Sequence, residues 1–213
     1  MGRTKQTLVQ QGLPFQLCDV TDAGSVEEAF SNARDKSGPV DIVVANAGAA
    51  ESVPFAKLTP EILNRMLSVN LTGVVNCWQA GLAAMTEAGW GRLIAVASTA
   101  GLKGYPYVSA YCSAKHGVVG LTRSVALELA RTGVTANAIC PGFVETPLLQ
   151  RSVDNIIQKT GMGQEEAKKS LLISNPQRRF IKTDEVAQAA LWLASDGAKS
   201  VNGHALSLSG GEI

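Results

Sequence analysis

Short apolar runs alternate with amphipathic helical stretches along the whole chain, and each run ends at a small or polar turn residue. This feature constrains the fold most, because near-continuous apolar strands separated by helix-length segments demand a parallel sheet covered on both faces. The strand-like runs are Pro14–Cys18, Val40–Ala45, Leu93–Ala97, Val134–Cys140 and Ala205–Leu208. Between them the sequence predicts helices over 3–11, Val26 to Gly38, 60–88, 109–131 and 184–195, with 148–173 helical in pieces. Ser25 and Glu28 are spaced as a capping box at the start of the second helix. Thr59-Pro60 reads as an N-cap followed by proline at the first helical position. The reading is one α/β domain over residues 1–213, a doubly wound parallel sheet.

Composition excludes several function classes. Lys and Arg number 19 against 18 Asp and Glu, so net charge near +1 gives no electrostatic case for nucleic acid or an anionic membrane. No apolar run approaches the ~18 residues of a membrane span, and Gln6 stands where a myristoylation signal wants Ser or Thr. A cytoplasmic protein is the expectation. Cys18, Cys77, Cys112 and Cys140 form no CxxC pair, and His116 and His204 stand far apart, so no metal site is expected. The thiols read as buried structural residues.

Ligands of such folds bind beyond the carboxyl ends of the strands, and the chemistry-bearing residues fall there. Asn46-Ala47-Gly48 follows the strand over 40–45, and Ser98 follows the strand over 93–97. Pro141-Gly142-Phe143-Val144-Glu145-Thr146 follows the strand over 134–140. Tyr111 and Lys115 are four residues apart on a helix and therefore share a face. Asn70 interrupts the long helix over 60–88.

Ser98-x12-Tyr111-x3-Lys115, together with Asn46-Ala47-Gly48, Asn70 and Pro141-Gly142-x-Val144-x-Thr146, resembles the short-chain dehydrogenases/reductases. The resemblance implies a Rossmann-like fold with a substrate loop over 146–180, and an enzyme that interconverts a ketone and a secondary alcohol with NAD or NADP. It implies Tyr111 as acid/base, Lys115 as the cation that lowers the Tyr111 pKa and grips the nicotinamide ribose, Ser98 as the carbonyl-positioning donor, and Asn70 as holder of a relay water. Tyr105 and Tyr107 are decoys, since neither has a lysine four residues on. Cofactor contacts carry over to Asp19 and Val20 at the adenine, Asn46, Ala47 and Gly48 at its ribose, and Pro141, Gly142, Val144 and Thr146 at the nicotinamide amide.

Two groups of enzymes share these motifs, 3-oxoacyl-thioester reductases and 3-hydroxybutyrate dehydrogenases. Ala50, Ala100 and Val108 stand where the latter carry polar residues for a small carboxylate, which favours an acyl thioester or larger ketone, with 3-hydroxybutyrate as the alternative. Phe143, Leu148, Leu149 and Gln150 are the expected lining. The resemblance also implies a homo-oligomer, dimer or tetramer, through helices 60–88 and 109–131, which carry Val74, Val75, Trp78 and Leu82, and Val118, Leu121, Val125 and Leu129. A catalytically silent subunit that only contributes such an interface is the competing reading.

The family pattern opens with a strand–helix–strand unit bearing Thr-Gly-x-x-x-Gly-x-Gly, which cradles pyrophosphate on backbone donors. The nearest run here, Thr160-Gly161-Met162-Gly163-Gln164-Glu165-Glu166, puts two acids in place of glycine. Only 13 residues precede Pro14, against roughly 30 for such a unit. The expectation is a sheet without that unit, in which strand 14–18 pairs with strand 40–45 or is loosely held, and weak cofactor binding by this chain alone.

Overall fold

The computed structural model describes Gly2, residues 5–9 and residues 12–213. Helix α1 covers Lys5–Val9, and the remainder of the helix expected over 3–11 lies outside the described residues. Helix α2 spans Ala23–Ser37 and strand β1 Ile42–Ala45. Helix α3, Pro60–Leu67, passes through a π turn at Ser68–Thr72 into α4, Gly73–Ala88. Strand β2 is Gly91–Val96, helix α5 Ser109–Glu128 and strand β3 Val134–Pro141. The helices α6, Pro147–Thr160, and α7, Gln164–Leu172, precede α8, Thr183–Ala194, and strand β4, Ala205–Leu208.

The four strands form one parallel sheet in the order β1-β2-β3-β4. Its register pairs Val43 with Leu93, Leu93 with Ala136, and Ala138 with Ala205. On one face, Leu93, Ala95, Ala136 and Ala138 pack with Phe30, Trp78, Met85, Val118 and Val119 of α2, α4 and α5. On the other, Ile94 and Ile139 pack on Leu193 of α8 and on Ala198. Every residue of β3 is buried, as the continuous apolar run predicts.

Glycines end the helices where a left-handed residue is required. Gly38 and Gly89 follow α2 and α4 with φ of 84° and 69°, a conformation that costs a side-chain-bearing residue free energy. Thr59 caps α3, its hydroxyl accepting from Ile62 N. Two local expectations are corrected. Helix α2 begins three residues earlier than the Ser25–Glu28 box implies, because the Asp22 carboxylate accepts from Gly24 N and Ser25 N. The Ser25 hydroxyl instead accepts from Asp19 N. Helix α8 starts after Lys182, whose N–H donates to Glu185.

Pro14–Cys18 does not join the sheet. Leu17 makes an isolated parallel bridge to Gly2, and β1 pairs with β2 alone. Cys18 faces the core at 3% exposure while Leu13 and Leu17 stay exposed, so one anchoring side chain holds this segment rather than a ladder of backbone bonds. All four cysteines are buried free thiols.

Candidate active site

Three elements deliver four side chains to the carboxyl end of β2. Ser98 follows the strand with extended backbone and caps a short 3-10 turn, Thr99–Gly101, its Oγ accepting from Ala100 N at 3.1 Å. That turn lies flat on α5, since a Cβ at Gly101 would stand 2.7 Å from the Lys115 carbonyl oxygen. Tyr111 and Lys115 project from one face of α5, Lys115 Nζ 5.7 Å from the centroid of the Tyr111 ring. The Ser98 side chain lies beside the Tyr111 phenol and acts to lower its pKa. Lys115 is 3% exposed, and its Nζ donates to Val96 O at 2.8 Å.

Asn70 reaches the same place through the π turn, a helix distortion that often accompanies function. It is fully buried, accepting from Ala49 N at 3.2 Å and donating to Ala49 O and Met66 O at 2.8 and 2.9 Å. These bonds tie the Asn46–Gly48 turn to the helix. A Cβ at Gly48 would lie 3.0 Å from Asn70 Oδ1 and 3.8 Å from Lys115 Nζ, so the bare backbone leaves a recess above the ammonium.

Electrostatics corrects one expectation. Burial raises the Tyr111 pKa above that of a free phenol, and Ser98 opposes this only in part. Lys115, expected to lower it, does not reverse the shift. Burial pulls the Lys115 pKa itself down to about 8, and a weak opposing effect comes from Cys140.

The loop after β3 is pinned at both ends. Gly142 N donates to Leu208 O, Val144 bridges Ile181, and Thr146 Oγ1 donates to Val144 O ahead of α6. Val20 packs on the start of α4, where a Cβ at Gly73 would lie 2.7 Å from Val20 Cγ2, and its carbonyl accepts from Asn76. Asp19 stands ahead of α2, its carboxylate accepting from Thr21 N and Thr21 Oγ1. An open groove of about 560 Å³ borders Asp19, Ser25 and Asn32 rather than Tyr111. The structure thus gathers Ser98, Tyr111, Lys115, Asn70 and Gly48 at one place, and leaves Asp19 apart from them.

Of the predicted lining, Phe143, Leu148 and Leu149 are half-buried, whereas Gln150 is exposed and donates to Asp154 along α6. Ala100 is buried at 4% exposure. Of the expected interface residues, Val74, Trp78, Val118 and Leu129 belong to the monomer core. Sequence reasoning passed over Tyr105, whose hydroxyl lies 2.8 Å from Thr99 Oγ1 and 2.7 Å from Glu212 Oε1. No sequence signal links residues 107 positions apart.

The chain has recognisable relatives. A family model described as Enoyl-(Acyl carrier protein) reductase matches residues 2–212. D-beta-hydroxybutyrate dehydrogenase of Cupriavidus necator is 40% identical over 92% of this chain and 76% of its own. A putative ketoacyl reductase of Streptomyces coelicolor is 38% identical over 91% of this chain and 75% of its own. The crystal structure of a single-residue variant of actinorhodin polyketide ketoreductase with NADPH superposes with a TM-score of 0.92 at 34% identity, covering 99% of this chain and 85% of that one.

Proposed function

This chain belongs to the short-chain dehydrogenase/reductase family, and on that premise we propose that Ser98, Tyr111, Lys115 and Asn70 carry its reaction. It is an oxidoreductase that interconverts a ketone and a secondary alcohol with NAD or NADP. The observation that supports the residue assignment is the packing of a half-buried phenol against Ser98 and a buried lysine.

The site suits the cofactor. Lys115 carries three donors beneath the recess at Gly48 that a Cβ would fill. Lys115 would hold the nicotinamide ribose, the backbone of Pro141, Gly142, Val144 and Thr146 the carboxamide, and Asn46, Ala47 and Gly48 the adenine ribose. The half-exposed Asp19 and Val20 would meet the adenine. When bound, the nicotinamide supplies the hydride to the carbonyl carbon.

The protein's part is the proton and the geometry. In ketone reduction the Tyr111 hydroxyl gives its proton to the carbonyl oxygen as negative charge builds there. Its raised pKa keeps it protonated until that moment. The Ser98 hydroxyl donates a second hydrogen bond to the same oxygen and holds it against the phenol. The phenolate left behind recovers its proton through Lys115, whose pKa of about 8 suits proton release near neutrality, and through a water held beside Asn70.

The substrate reading is a 3-oxoacyl thioester or related larger ketone, supported by the apolar Ala50, Ala100 and Val108 around the site. The name of the Cupriavidus necator relative favours 3-hydroxybutyrate as a second reading. The reading places the enzyme in the cytoplasm as a homodimer or homotetramer through the α3–α4 and α5 regions, where Leu127 is 80% exposed. No described helix is long and apolar enough to cross a membrane. It also treats residues 1–213 as one domain, with 146–180 as the substrate loop.

The test follows reduced-nicotinamide absorbance at millimolar NADH or NADPH, with acetoacetyl thioester and free acetoacetate offered in parallel. The thioester should be turned over at least tenfold more efficiently. Preference for the free acid would establish the 3-hydroxybutyrate reading, and turnover of neither would refute the assignment.

A further inference from the structure

The last residues of the chain turn back into the site. Gly210 and Gly211 have φ of 63° and 92°, and a Cβ on Gly210 would lie 2.4 Å from Asn175 Oδ1. Only glycine makes this turn against the segment after α7, and the turn delivers the Glu212 side chain inward at 3% exposure. Its Oε1 accepts from Lys103 Nζ and from Tyr105 OH, each at 2.7 Å, and Ser174 hydrogen-bonds the same carboxyl. A Cβ on Gly142, in the loop after β3, would lie 3.7 Å from Oε2. Burial alone would raise the Glu212 pKa, but the bonds from Lys103, Tyr105 and Ser174 outweigh it and hold the carboxyl below its ordinary value.

The direction of the hydrogen bonds follows from the donor inventory. A carboxylate only accepts, and a phenol has a single hydrogen. Tyr105 therefore donates to Glu212 and accepts from the hydroxyl of Thr99, 2.8 Å away and 3% exposed. Thr99 is the first residue of the turn that Ser98 caps, and Gly101 of that turn presses on the Lys115 backbone. The turn is thus held on one side by α5 and on the other by a chain of hydrogen bonds that ends on Glu212.

We propose that Glu212 is a positioning residue, a buried carboxylate clasp that joins the turn carrying Ser98 to the wall behind α7 and so sets the Ser98 hydroxyl against the substrate carbonyl. The proposal rests on the reading of Ser98 as the carbonyl-holding donor. Burial of the carboxylate is stable only because every bond in the cage is made. Glu212→Gln keeps the volume but sets an amide NH2 or a neutral oxygen against the Lys103 ammonium.

A double-mutant cycle with Ser98→Ala tests this, because a residue that acts through Ser98 has no further effect once the hydroxyl is gone. In the full chain, Glu212→Gln should lower kcat/KM for the ketone about tenfold when Ser98 is present, and less than twofold in the Ser98→Ala background. Amide hydrogen exchange of the unliganded variant should quicken at least tenfold in 99–105 and 172–176 and stay unchanged in β2. Equal losses in both backgrounds, or unchanged exchange in 99–105, would overturn the clasp. Should Glu212→Gln fail to fold, Tyr105→Phe, which keeps the ring and removes the link, enters the same cycle with the same expectations. If Ser98→Ala is itself silent, the proposed function fails. The exchange measurement alone then decides whether the clasp exists.

Discussion

Strand β1 and strands β2–β3 present the same sheet face in very different settings. Ile42 and Val44 of β1 are 42% and 45% exposed, whereas Ile94 and Ile139 on that face are 1% and 0% exposed. The residue types and the alternation match. The cover differs, because α8 brings Leu193 over β2 and β3, while the opposite face of β1 is covered by α4 through Val43 and Ala45. Burying one such side chain contributes roughly 1.5–3 kcal/mol, so the doubly covered flank is the rigid one. Ser98, Tyr111, Lys115 and the Pro141–Thr146 loop all ride on that flank. Asn46 to Gly48, Asp19 and Val20 ride on the half-covered one. Reacting groups need fixed positions to within fractions of an ångström, and here they occupy the part of the molecule packed on both sides.

The comparison can be broken in several places. The largest expected effect is chemical and confined to the rigid flank. Tyr111→Phe keeps the ring and removes the proton, so turnover should fall about 10³-fold with cofactor affinity within twofold, read by steady-state kinetics and by titration of cofactor fluorescence. Near-normal turnover would remove Tyr111 from the mechanism.

Packing gives the next effect. Ile139→Ala should cost about 2–5 kcal/mol of unfolding free energy, while Ile42→Ala on the same sheet face should cost under about 1 kcal/mol. Urea midpoints at constant m-value measure both. Equal losses would show that β1 is as well covered as β3 and would dissolve the contrast.

A smaller effect runs in the opposite direction. The Lys115 pKa falls from 10.5 to about 8 on folding, so between those values the unfolded chain binds more protons than the folded one. Stability of the wild type therefore rises with pH through that window, and below pH 8 the buried ammonium costs about 3 kcal/mol. Lys115→Met removes that cost and loses the bond to Val96 O. The variant should be about 1–2 kcal/mol more stable than the wild type at pH 7, with the advantage shrinking toward pH 10.5. Lower stability at pH 7 would mean that the ammonium is not strained by burial. The smallest effect belongs to the open flank, where Val44→Thr should change the urea midpoint by no more than about 0.5 kcal/mol equivalent.

Local rules were legible in the sequence, and long-range ones were not. Gly38 and Gly89 end helices because the backbone must turn left-handed there, and the interruption at Asn70 is the π turn itself. Periodicity put Tyr111 and Lys115 on one helix face and Ser98 at a strand end, and only the family resemblance implied that the three meet. Pro14–Cys18 read as a strand since its composition suits one, but composition does not say whether a partner edge lies alongside. The Asp22 cap was missed because a better acceptor three residues upstream of Ser25 competes for the same N–H groups. Tyr105 looked like a decoy because its partners, Thr99 and Glu212, meet only in the folded chain. The direction of the Tyr111 shift depends on burial, a property of the whole fold rather than of residue spacing.

The central claim, that this site moves hydride between a nicotinamide and a carbonyl carbon, is tested most directly by isotope transfer. The full chain is incubated at millimolar concentrations of NADPH or NADH deuterated at both C4 positions, with a 3-oxoacyl thioester, and the alcohol is analysed by mass spectrometry and proton NMR. The account predicts one deuterium at the carbinol carbon with wild-type protein, and alcohol reduced to trace amounts with Tyr111→Phe. Alcohol without deuterium at that carbon, or no alcohol from wild-type protein with either cofactor, would contradict it.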